Sequence, residues 1–105
     1  MDVDQYHEPP DELAEEVRTF ARMITSLIEE AEAIGRHAQR LAVEADAEAA
    51  AIMENAQGEE FKHFGMDLEY LLRRTPKWRI ALQTILFRAG DIVENGALVE
   101  RAEGG

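Results

Sequence analysis

A carboxylate and an imidazole stand three residues apart in Glu60-Phe61-Lys62-His63. On a helix that spacing projects both side chains from one face. They belong to a longer series, Ala49, Met53, Ala56, Glu60, His63, Asp67 and Tyr70, which steps alternately by four and three. The series opens apolar and then sets a glutamate, a histidine and an aspartate where apolar residues would continue a buried seam. Burying ionisable groups is costly unless they are paired or hold a metal. A second series, Met23, Glu30 and His37, recurs every seven residues along the edge of another apolar seam. Carboxylate oxygens with one imidazole per metal suit iron or manganese. Asp67, one turn beyond His63, is placed to hydrogen-bond its ring from behind, as carboxylates often do for metal-bound histidines. A solvated surface aspartate is the competing reading. His37 is either a similar backing group, an extra ligand, or a half-exposed interface histidine. His7 belongs to an exposed lead.

Two long helices must position these groups. Leu13, Val17, Phe20, Ile24, Leu27, Ala31, Ile34, Ala38 and Leu41 form a heptad-type apolar seam that no proline interrupts. A helix of that span is roughly 45 Å long, a length usual in bundles and coiled coils. The run Pro9-Pro10-Asp11-Glu12 predicts its start, because proline fits a first turn and acids oppose the positive end of the helix dipole. The stretch from Val43 to Glu48 reads as a turn, with Asp46 as N-cap of a second helix that ends at Arg74 before Thr75-Pro76. Gly58 and Gly65 lie inside that helix at a cost of roughly 1 kcal/mol each, which close backbone packing would explain. A flexible break at Gly58 is the alternative. A short third helix begins at Pro76 or Lys77, shows Trp78, Ala81, Leu82, Ile85 and Leu86 on one face, and stops at Ala89-Gly90. The expected organisation is therefore all-α: a flexible lead over 1–9, a helical domain over 10–90, and a weakly structured tail over 91–105.

If the two long helices run antiparallel about residue 45, Glu30 and Glu60 stand at one height, each about fifteen residues from the turn. Di-metal carboxylate bundles take a Glu from each of two helices and a Glu-x-x-His from each of two others. This chain has one of each, which is half a ligand set. A two-fold pair of chains supplies the other half by symmetry. Two other readings stand beside this one. The polar seam groups could instead set the register of a metal-independent helical assembly module. The same scaffold could also hold manganese, zinc or a mixed pair.

Composition narrows the partners. The 105 residues carry a formal net charge of −11 and no cysteine. That charge opposes binding to nucleic acid or to an anionic membrane surface and is compatible with attracting cations, the plainer reading being that many soluble intracellular proteins are acidic. Disulfides, thiolate metal sites and cysteine nucleophiles are excluded. No basic segment followed by an apolar run opens the sequence, and no stretch has the length to span a bilayer, so a cytoplasmic location is expected. The four methionines, Tyr70 and Trp78 read as packing residues.

Taken in order, several segments resemble the encapsulated ferritins: His7-Glu8-Pro9, Glu29-Glu30-Ala31-Glu32-Ala33, Gln39-Arg40, Glu59-Glu60-Phe61-Lys62-His63, Met66-Asp67-Leu68-Glu69-Tyr70-Leu71, Lys77-Trp78 and Leu86-Phe87. The resemblance covers about His7 to Phe87. It implies two long antiparallel helices and a short third one, dimerising into a ferritin-like four-helix bundle, with five dimers in a ring-shaped decamer. It implies a ferroxidase centre between two subunits, with Glu30, Glu60 and His63 of each as ligands, that oxidises Fe(II) to Fe(III) with dioxygen. It further implies iron storage as cargo inside an encapsulin nanocompartment, and an outer acidic site at Glu29 and Glu32 that draws iron inward. Two departures stand out. Arg36-His37 occupies the place of a family aromatic pair, so His37 would stand near the metals in place of a tyrosine. The end, Glu100-Arg101-Ala102-Glu103-Gly104-Gly105, shows no clear copy of a shell-docking peptide, which is expected to be trimmed or divergent.

Overall fold

The computed structural model describes residues 5–104. Among them the regular structure is helical throughout. The proline pair makes a single 3-10 turn over Pro10–Glu12, with the Glu12 amide donating to the Pro9 carbonyl at 3.0 Å. Leu13 and Ala14 are then extended, and the first long helix, α1, spans Glu15–Val43. Its start falls later than the sequence predicts, at a point where Glu15 and Glu16 supply the acidic first turn.

Glu44 is extended at the end of α1 and begins the turn. The Asp46 carboxylate accepts from the Ala49 amide at 2.8 Å, which caps α2 over Ala47–Arg74. Glu44 accepts from the Asp46 amide at 3.0 Å and tightens the turn. The turn and its capping residue are thus as the sequence predicts. Gly58 and Gly65 are carried through α2 without a break, and a Cβ on either would meet nothing within 4 Å. Close backbone packing within the chain therefore does not account for them.

Two cross-helix hydrogen bonds fix the direction of the hairpin. Ser26 Oγ donates to Asp67 Oδ2 at 2.8 Å, and Gln57 Nε2 donates to the Ile34 carbonyl at 3.3 Å. Residue numbers rise along α1 as they fall along α2, so the helices are antiparallel. The hairpin is thinly buried: α1 has no buried residue, and α2 has one, Leu71. Phe61 and Met66 stay 56% and 62% exposed.

From Leu72 onward the chain forms a second compact unit. Within it, α3 spans Pro76–Ile85, α4 spans Ile92–Ala97 and α5 spans Val99–Ala102. The third helix ends four residues before the predicted stop, because Leu86 turns extended and Phe87 takes a positive φ of 58°. The stretch read as a tail is more helical than expected. Asp91 caps α4 by accepting from the Glu94 amide at 2.9 Å, a signal already present in the Asp-x-x-Glu spacing. Lys77 lies 3.9 Å from Glu103. No helix of the described residues is long and apolar enough to cross a membrane.

Candidate metal centre

The seven-residue recurrence on α1 and the four-three steps on α2 are brought together by the hairpin at one level. Glu30, Glu60 and His63 each offer a ligand atom, and these atoms lie within 4.8 Å of one another. His63 Nδ1 stands 3.9 Å from Glu60 Oε2. One helix contributes the lone glutamate and the other contributes both members of the Glu-x-x-His spacing, as one turn of α2 requires.

The site is charged against its own geometry. Burial pushes the Glu30 carboxyl up to about 7. A side-chain hydrogen bond with Asp67 adds to the rise, as do the negative charges of Asp67, Glu60 and Glu29. Glu30 Oε2 is buried and has no hydrogen-bond partner among the described residues. A buried acceptor without a donor is costly. A cation beside it would supply the missing partner and remove the repulsion between carboxylates. Two carboxylates and an imidazole form a donor set that fits iron or manganese, and the unpartnered Glu30 oxygen gives that set a reason to bind.

The remaining candidates fall into different places. Asp67 is half-buried and adjoins the cluster, but its partners are Ser26 and Glu30 rather than the His63 ring. The reason is direction: Asp67 meets the side chains of α1 instead of leaning back along α2. Its partner Ser26 was not singled out in the sequence, although a serine four residues before Glu30 shares that face of α1. His37 lies two turns from Glu30 and is half-buried, with Nδ1 buried and without a hydrogen-bond partner among the described residues. It is not one of the three clustered groups. Glu29 is exposed, and Glu32 pairs with Arg36 at 3.4 Å. His7 is exposed.

Comparison with known proteins points the same way. The EncFtn-like family matches residues 5–89. A ferritin-like protein of Thermotoga maritima is 41% identical over 102 residues, covering 97% of this chain and 87% of the relative. An encapsulated ferritin-like protein of Rhodospirillum rubrum is 39% identical over 98 residues, covering 93% of this chain and 70% of the relative. A crystal structure of a protein from Nitrosomonas europaea superposes with a TM-score of 0.81 at 38% identity, covering 85% of this chain and 98% of that one. With most of its length inside the family match, and with sequence relatives of that name over nearly all of it, the chain belongs to the EncFtn-like family of encapsulated ferritin-like proteins.

Proposed function

We propose that this chain is half of a ferroxidase, and that two copies pair on the Glu30–Glu60–His63 face to complete a centre for two iron ions. The observation that carries the reading is the convergence of those three side chains around a buried, unpartnered Glu30 oxygen. Pairing is supported by the thin burial of the hairpin and by His63, whose side chain is 46% exposed in the single chain. A second copy laid on this face covers the imidazole and adds the missing carboxylates by two-fold symmetry.

Within the pair, Glu30 and Glu60 hold the ions and balance their charge, and His63 completes each set as a neutral imidazole. Iron(II) is the substrate, and two such ions give one electron each to dioxygen, which with two protons from water leaves as hydrogen peroxide while both irons become Fe(III). Glu30 gives up the proton it keeps near neutrality when a cation takes its place. Exposed Glu29, with Glu32 held by Arg36, forms the outer approach for cations. From the encapsulated relative we carry over an encapsulin shell as partner, and from the resemblance to encapsulated ferritins a ring of dimers as the assembly.

Native mass spectrometry of the metal-free chain, titrated with Fe(II) without oxygen, tests this reading. Two irons bound per two chains are expected, followed by oxidation on admitting air. A monomer that binds iron by itself would overturn the half-site.

A further inference from the structure

The three ligands come from two helices whose apolar seam is only half-buried at their level, and Leu71, the buried residue of α2, lies about two turns beyond His63. Along the contacting faces, Ala49, Met53 and Ala56 of α2 are only half-buried, and α1 has no buried residue. A half-buried seam holds register less firmly than a buried one. A slide of one helical turn is about 5.4 Å, more than the 4.8 Å within which the ligand atoms sit. Such a seam leaves room for a second device that holds Glu30 opposite Glu60 and His63.

Two hydrogen bonds are placed to do so. Ser26, four residues before Glu30, donates to Asp67, four residues after His63, at 2.8 Å. Gln57, three residues before Glu60, donates to the carbonyl of Ile34, four residues after Glu30, at 3.3 Å. One bond lies a turn to one side of the ligands and the other a turn to the opposite side. Hydrogen bonds tolerate little displacement, since they fail beyond roughly 3.5 Å. Half-buried apolar contact falls off less steeply with displacement.

Building on the metal-centre reading, we propose that Ser26–Asp67 and Gln57–Ile34 are a pair of clamps that bracket the centre and set the register of its ligands. Ser26, Asp67 and Gln57 are positioning residues for the site, and none of them is a ligand. Their effect falls on metal affinity and coordination geometry rather than on helix content.

The test uses the full-length metal-free chain and Co(II) as probe, with binding and the visible Co(II) band followed in the parent, S26A, S26T, Q57M and the S26A/Q57M double variant. S26A and Q57M are each expected to weaken Co(II) binding several-fold, and together by about 10- to 100-fold with an altered visible band. Helicity and oligomeric state should be unchanged, and S26T, which keeps the hydroxyl, should restore parental binding. Parental affinity and band in the double variant would overturn the clamps. So would a loss of binding that merely follows a loss of helicity. E60A and H63A serve as the separate check on the site itself. If they bind Co(II) as the parent does, the centre is misassigned and the clamps fall with it. If they abolish binding while S26A/Q57M does not weaken it, only the clamps fall.

Discussion

Buried polar groups behave differently in the long hairpin and in the C-terminal unit. In the latter, Thr84 and Asn95 are 7% and 8% exposed, and both are satisfied. Thr84 Oγ1 donates to the Ile80 carbonyl at 2.8 Å, and Asn95 Nδ2 donates to the Ala89 carbonyl at 3.2 Å. In the hairpin, Glu30 Oε2 and His37 Nδ1 are buried with no such partner among the described residues. The first pattern closes a fold on itself. The second leaves a Glu30 oxygen unmatched at the level where carboxylates crowd together, where a cation would supply its partner.

The sharpest way to break this contrast is to remove the hairpin ligands. Glu30→Ala, Glu60→Ala and His63→Ala should each lower Fe(II) oxidation by about a hundredfold or more, with far-ultraviolet circular dichroism nearly unchanged. Parental rates in all three would put the chemistry elsewhere.

Metal should also stabilise the hairpin. Thermal unfolding in Co(II) at a hundred times its dissociation constant should show about 2.7 kcal/mol of added stability. Chelator should reverse it, and Glu60→Ala should abolish it.

The unmatched Glu30 predicts an unusual pH dependence for the metal-free chain. Its folded pKa is raised from 4.5 to about 7, so the fold disfavours the charged form. The penalty is absent below the unfolded value, grows as pH rises through that window, and is complete above about 7. Denaturant titrations should therefore show this contribution falling from pH 4.5 to 7, and Glu30→Gln should flatten it. An unchanged slope in Glu30→Gln would remove the group from the account.

On the satisfied side, Asn95→Ala should cost about 1–2 kcal/mol by stranding the Ala89 carbonyl, while leaving oxidation per folded molecule unaltered. A change in oxidation rate would blur the distinction between the two regions. The smallest effect expected is at Gly65, which is exposed, helical and free of neighbours. Gly65→Ala should stabilise the chain by up to about 1 kcal/mol. Destabilisation measured by the same unfolding curves would mean that a second copy's backbone approaches that face.

Much was written in local pattern. The four-three periodicities, Asp46 at the turn and Pro76 after Thr75 specify two long helices, the turn between them and the end of the second, because helix geometry and capping act over a few residues. The Glu-x-x-His spacing and the equal distances of Glu30 and Glu60 from the turn specify, for the same reason, that Glu30, Glu60 and His63 come together. The helix over Ile92–Ala97 was also encoded, in Asp91 and Glu94, but its short apolar pattern carried too little weight to be read as one.

Contacts across the hairpin were decided only in three dimensions. Periodicity says that Asp67 shares a face with His63, but not that its carboxylate reaches Ser26 and Glu30 instead. That choice depends on the axial offset and rotation of one helix against another, set by side chains 41 residues apart in the chain. The rise in the Glu30 pKa is likewise a property of the assembled site. The sequence supplies four carboxylates, and only the fold draws Glu29, Glu60 and Asp67 around a partly desolvated Glu30 and leaves one of its oxygens without a donor.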